Sequence, residues 1–185
     1  MELSEIRKEI DRIDTQMKEL FLQRMACAEK VAEAKMKTGG DVFVPSREDE
    51  IIEKRTSDVE NVKDEYTEFL RHLMSVSRRY QYGKLTEMQD AVLAEALSDD
   101  FKGADETGMT RISFRLADGG VKLNLFMNVL QMNGIDIESM ELRSEEGGKT
   151  VTMLLRGSIN EPDMRRALCQ IGKEAEALSI MSIEE

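Results

Sequence analysis

The 185-residue chain has no tryptophan, one histidine, two cysteines and two prolines. Each scarcity excludes something. With His72 alone and two distant cysteines, Cys27 and Cys169, nothing stands at metal-ligand spacing, so no metal site is expected. A disulfide-stapled fold is equally unexpected, and the two thiols read as buried groups of a reducing compartment. No apolar run approaches the roughly 20 residues that span a bilayer. The first residues, Met1-Glu2-Leu3-Ser4-Glu5, lack the apolar core of a signal peptide, so the expected compartment is the cytoplasm. Basic residues are in deficit, 26 Lys and Arg against 37 Asp and Glu, for a net charge of -11. Neither nucleic acid nor an anionic membrane is an expected partner. Any anion this protein binds must be held by a local cluster of cations.

What is present begins with a heptad pattern over residues 3–35. Leu3, Ile10, Met17, Arg24 and Val31 form one row, and Ile6, Ile13, Leu20, Cys27 and Ala34 form the other. A 3-4 apolar seam of that length predicts one long helix burying a narrow face against other helices. Arg24 interrupts the seam. A guanidinium in a helix interface is costly unless an anion meets it. That anion is either a glutamate of another helix, the commoner arrangement, or a bound ligand.

Ser4 is a candidate N-cap for this helix, and Thr38-Gly39-Gly40-Asp41 ends it. Val42-Phe43-Val44-Pro45 reads as an extended link. Ser46 to Asp49 reads as a capping box that opens a short second helix, with Ile51 and Ile52 on its apolar side. A third helix from about Val62 carries Val62, Tyr66, Phe69, Leu70, Leu73 and Tyr80 on its stripe. Ser77 and Gln81 prolong that stripe and must find polar partners, in the simplest case across a helix–helix contact. His72 lies off the stripe and is assigned no role. A bend is expected at Gly83, the helix resuming through Leu85, Met88, Val92 and Ala96.

Residues 99–107 read as a polar linker. Beyond them the period falls to two: Ile112, Phe114 and Leu116 alternate with Arg111, Ser113 and Arg115. A helix over 121–132, a strand over 135–143 with a slip near Ser139, and a hairpin turn at Glu145-Glu146-Gly147-Gly148 follow. A strand over 150–156, a helix capped by Asn160-Glu161-Pro162-Asp163, and a strand over 178–183 complete the chain. The order βαββαβ is that of a ferredoxin-like sandwich. The expected fold is therefore multidomain: an all-α three-helix unit over 1–98, a linker over 99–107, and an α/β ferredoxin-like unit over 108–185.

In the helical half, Arg24 and Lys35 share a face of the first helix about 16 Å apart along its axis. Arg47 stands at a helix N-terminus, where backbone N–H groups and the dipole favour anions. Glu48 beside it can accept a hydrogen bond from a hydroxyl. Reaching inward, Arg24 and Lys35 can bracket one small dianion, and Ser77 and Gln81 are the polar groups of the third helix. Arg7 lies about 25 Å from Arg24 along the same helix, out of reach within one chain. An antiparallel partner would bring it close. Three helices around so long a seam also bury themselves poorly alone, so a homodimer is expected on packing grounds.

These residues carry a resemblance. Ile6-Arg7-Lys8-Glu9-Ile10-Asp11-Arg12-Ile13-Asp14, Arg24, Val31-Ala32-Glu33-Ala34-Lys35, Pro45-Ser46-Arg47-Glu48 and Ser77-Arg78-Arg79-Tyr80-Gln81 stand in the order and spacing of the all-helical chorismate mutases. The resemblance implies an intertwined dimer of three-helix subunits that rearranges chorismate to prephenate in a pericyclic step, without a cofactor. It implies that Arg24 and the partner copy's Arg7 hold the two carboxylates, and that Lys35 and Gln81 donate to the ether oxygen. Glu48 would take the ring hydroxyl, with Arg47 and Ser77 completing the lining. Many members carry an acidic residue just before the position of Pro45; Val44 stands there, which puts a second contact to that hydroxyl in doubt.

The second half resembles the ACT domain, a small-molecule sensor. On that resemblance the effector residues would be Gly119, Gly120, Val121, Glu141 and Arg143, and the effector an amino acid such as phenylalanine or tyrosine. Pairing of such domains would give a homodimer or a dimer of dimers. A domain kept only for dimerisation or stability fits the same pattern. Two rival functions remain: a non-catalytic amino-acid sensor with a degenerate mutase fold as its stalk, and an isochorismate pyruvate lyase.

Overall fold

The computed structural model describes residues 2–99, 101, 108–119 and 122–183. Helix α1 spans Leu3–Thr38. Its start is not capped by Ser4, which lies inside the first turn. The Glu2 backbone N–H instead donates to the Glu5 carboxylate at 3.0 Å, an arrangement that also sets an anion against the positive helix end. Gly39, at φ 69°, ends the helix and donates its N–H to the Lys35 carbonyl. Only glycine enters that left-handed region without steric cost.

Helix α2, Pro45–Thr56, begins one residue before the expected cap. Val44 is the extended N-cap residue and Pro45 occupies the first helical position, where its missing N–H costs nothing, so Ser46 is an internal residue. Helix α3 spans Lys63–Lys84 and α4 Thr86–Ala96. The break falls at Leu85 rather than Gly83; the Gln89 side chain takes up the Tyr82 carbonyl freed there, at 2.7 Å.

The buried face of α3 is also rotated from expectation. Leu70, Met74, Ser77, Arg78, Gln81 and Tyr82 are buried, whereas Val62 and Phe69 are exposed. On α1 the buried residues are Ala28 and Ala32, one position on from the seam residues Cys27 and Val31. An α-helix drifts about 20° per heptad against a strict seven-residue repeat, so four heptads displace the face by nearly one residue. Cys27, expected to be buried, is exposed in the chain, and Cys169 is buried. The N-terminal half of the seam has no cover among the described residues: Leu3, Ile6, Ile10, Ile13, Met17 and Leu20 are 40% to 64% exposed.

The second unit has strands β1 (Met109–Ala117), β2 (Ile137–Glu145), β3 (Gly148–Arg156) and β4 (Glu176–Met181), with helices α5 (Leu123–Met132) and α6 (Pro162–Glu174). The sheet order is β2-β3-β1-β4, every neighbouring pair antiparallel. This is a ferredoxin-like arrangement, with the slip in β2 between Ile137 and Ser139. Helix α6 is capped from Glu161, whose carboxylate accepts the Ser158 N–H, and not from Asn160. Ile112, Phe114 and Leu116 of β1 pack on Phe126, Leu130, Leu168 and Ile171. Leu93 and Ala96 of α4 join this core, and the Ser98 N–H donates to the Ile180 carbonyl at 3.0 Å. No helix among the described residues is long and apolar enough to cross a membrane.

Helix α3 is the element both units share. Its Arg79 donates to Asn133 at the end of α5, and its Ser75 and Arg78 meet Gln170 and Glu174 of α6.

Candidate active site

Arg24 and Lys35 of α1, Arg47 and Glu48 of α2, and Ser77 and Gln81 of α3 all line one cavity of about 500 Å³. Three helices and the 39–44 link therefore converge on six of the seven residues expected in the helical half. The seventh, Arg7, is exposed on α1, far up the same helix, and does not line it.

Each group is placed by its neighbours. Arg24 Nη1 donates to the Ser77 hydroxyl and, at 3.3 Å, to the Leu73 carbonyl. Ser77 itself donates to that same carbonyl at 3.0 Å, in the i−4 pattern of a helical serine. Lys35 Nζ donates to the carbonyls of Asp41 at 2.6 Å and Val42 at 3.3 Å, which folds the link back over the end of α1. Gln81 Nε2 donates to the Ser77 carbonyl at 3.3 Å, and its Oε1 is buried without a hydrogen-bond partner among the described residues.

Sequence reasoning missed two cations of this cavity, Arg55 and Arg78. Arg55 follows Glu48 by one heptad on α2, a spacing that puts both on one face. Arg78 adjoins Ser77 on the buried side of α3. The lining thus holds five cations and a single carboxylate, Glu48, in a chain of net charge -11. Among the described residues, no carboxylate lies within ion-pairing distance of Arg24, Lys35, Arg47 or Arg55. Burial and then the like charge of Arg55 lower the Arg24 pKa, with Glu48 opposing. Burial and then Arg47 lower the Lys35 pKa, against Asp41 and Glu48. Both cations gain from an incoming anion.

Arg78 is the exception. Its Nη1 donates to both Glu48 oxygens at 2.5 and 2.6 Å, and its Nε and Nη2 donate to Glu174 of α6 at 2.6 and 2.9 Å. Burial disfavours its charge, yet Glu174 first and Glu48 second hold its proton above the ordinary arginine range. Val44 also lines the cavity, adding an apolar surface where an acidic side chain would be a further acceptor.

The expected effector residues are less concentrated. Gly119, at φ 76°, lines a second cavity of about 340 Å³ between the two units. Glu141 and Arg143 lie on the edge strand β2, two strands away from β1, and pair with each other at 2.9 Å. Gly120 and Val121 lie outside the described residues. Gly119 thus follows β1, while Glu141 and Arg143 lie on β2.

The arrangement of α1 to α3 is a three-helix unit built around a cavity lined by cations. Residues 6–82, which contain every lining residue named above, match the family of type II chorismate mutases. Over 53 residues, 29% of the chain, the sequence is 47% identical to the bifunctional chorismate mutase/prephenate dehydratase of Aquifex aeolicus (strain VF5). The matched segment spans 15% of the length of that protein.

Proposed function

We propose that the chain is a chorismate mutase, converting chorismate to prephenate as a homodimer with two active sites. The observation that carries this reading is the cavity in which Arg24, Lys35, Arg47 and Arg55 stand without carboxylate partners around Glu48. Chorismate is a compact dianion with a ring hydroxyl and an ether oxygen, and the lining offers a partner to each. Arg24, Arg47 and Arg55 receive the carboxylates; Glu48 accepts a hydrogen bond from the hydroxyl; Lys35 and Gln81 donate to the ether oxygen as charge develops on it. Gln81 then turns its amide from the Ser77 carbonyl toward the substrate, and Lys35 keeps one backbone acceptor while donating to the ligand.

The rearrangement breaks one C–O bond and forms one C–C bond within a single molecule. Holding the compact reactive conformer contributes much of the rate. A donor aimed at the breaking bond contributes about 3 kcal/mol more. Arg7 enters from the partner copy, whose long helix covers the exposed half of α1. That apolar row and Arg7 lie on the same uncovered stretch, which supports one interface serving both packing and catalysis.

The second unit is proposed to be an amino-acid sensor, for phenylalanine or tyrosine, assembled when β2 of one copy meets the β1–α5 loop of another. Loss of chorismate absorbance with purified protein, with and without each amino acid, tests both parts. Prephenate formation supports the mutase reading, and a changed rate supports the sensor. A folded dimer without turnover would instead be the non-catalytic sensor.

A further inference from the structure

Glu48 does not stand free in the cavity. A cation that is 4% exposed holds it, and that cation is held in turn by Glu174, 1% exposed, from the other unit. The guanidinium is engaged on three sides. Its Nε/Nη2 edge forms a two-point fork with Glu174, its Nη1 meets both oxygens of Glu48, and its face lies over the Phe43 ring, 4.7 Å to the centroid. Glu174 is itself fixed by the Gln170 amide at 3.0 Å, and Gln170 reaches back to Ser75 of α3. Burial pushes the Glu174 carboxyl up, and Arg78 pulls it down.

We propose that Arg78 is the positioning residue for Glu48, and that Glu174 of the second unit sets its aim. The inference rests on the mutase reading for its kinetic consequence, not for its geometry. A two-point fork fixes both the position and the plane of a guanidinium, which a single point charge does not do. With the Nε/Nη2 edge held by Glu174, Nη1 is the group that meets Glu48, whose oxygens keep lone pairs for a substrate hydroxyl. Without Glu174, Arg78 is free to leave this orientation, and the Glu48 carboxylate that it holds turns with it. The α/β unit is then a working part of the mutase site, and any ligand or contact that moves the end of α6 acts on Glu48.

The test uses the full chain as Glu174→Gln, Glu48→Gln and the double variant, each measured for kcat, KM, thermal stability and Glu side-chain carboxyl 13C resonances. Glu174→Gln is expected to lower kcat/KM roughly ten- to a hundredfold. In the Glu48→Gln background it should lower it no further, while its cost in melting temperature persists there, since Glu174 is then the remaining carboxylate on Arg78. A purely structural role would give additive kinetic losses and would overturn the proposal. The Glu48 carboxyl signal, assigned by its loss in Glu48→Gln, should move in Glu174→Gln. An unmoved signal in folded Glu174→Gln also overturns it. Should the unsubstituted chain leave chorismate intact, the mutase reading fails, and the resonance shift alone decides the positioning role. Should Glu174→Gln not fold, Glu174→Asp, which keeps the charge but shortens the reach, is read by the same two criteria.

Discussion

Arg24 of α1 donates to the hydroxyl of Ser77 of α3, and its only other acceptor among the described residues is the Leu73 carbonyl. Both acceptors are neutral. The commonest resolution of a guanidinium on a helix seam, a facing glutamate, is not the one found. No carboxylate among the described residues pairs with the charge, and the charged group that acts on it most, Arg55, is a like charge.

Arg24→Ala should therefore remove turnover without unfolding the protein. Loss of one preorganised donor typically costs a hundred- to a thousandfold, roughly, in kcat. Ser77 retains the Leu73 carbonyl as acceptor, so no new buried group is orphaned. The melting temperature should hold or rise as the repulsion with Arg55 disappears. A variant that unfolds would make Arg24 a structural residue.

Lys35 should give the pH–rate profile a descending alkaline limb. Its folded pKa is lowered from 10.5, first by burial and then by Arg47. The cation is thus lost at lower pH than in an unfolded chain. Because the unfolded chain binds this proton more tightly, the group's contribution to stability rises with pH between the lowered value and 10.5. Activity moves the other way, since the neutral amine donates poorly to a developing anion. In kcat/KM, which reports the free enzyme, the limb should fall below pH 10.5 and vanish in Lys35→Arg. An unchanged limb in that variant would assign the titration to another group.

Arg7→Ala and Arg24→Ala should complement each other. Each homodimer is expected to be inactive, because every site lacks one arginine. A mixed dimer holds one site lacking both and one site with both intact. Unfolding and refolding an equimolar mixture should return about a quarter of the parental activity, since half the dimers are mixed and each has one good site. No recovery in verified mixed dimers would place Arg7 outside the site.

Gly148→Ala should destabilise the second unit. A β carbon there would lie 2.2 Å from the Leu116 carbonyl oxygen, a backbone atom that cannot swing away. The cost expected for such overpacking is about 1–3 kcal/mol, read as a lower urea midpoint. An unchanged midpoint would show that the β2–β3 hairpin can shift off β1 at little cost.

The individual elements were legible in the sequence because each has a local cause. The heptads of α1, the alternation of Ile112, Phe114 and Leu116, and the Gly147 turn each express one backbone period or one dihedral requirement. The polar lining of the first cavity was also legible, because Arg24, Ser77 and Gln81 interrupt apolar stripes, Lys35 shares a face with Arg24, and Arg47 stands at a helix N-terminus. The helix caps were misplaced because Ser4, Ser46 and Asn160 compete with Glu2, Val44 and Glu161 a residue or two away, and the competition is settled by where the chain enters.

What only the tertiary structure decided is which face of each helix turns inward and who meets whom across the chain. The seven-residue repeat does not match the helical period, so the buried face of α1 runs through Ala28 and Ala32 instead of Cys27 and Ala34. Glu174 and Arg78 are 96 positions apart, and nothing local in either segment signals the other. Their pairing follows from packing α6 against α3, after which a buried cation has to take the anions within its reach. By itself the sequence determined the elements, their order and the chemistry of the cavity. The fold alone determined that the carboxylate in that cavity is held from the neighbouring unit.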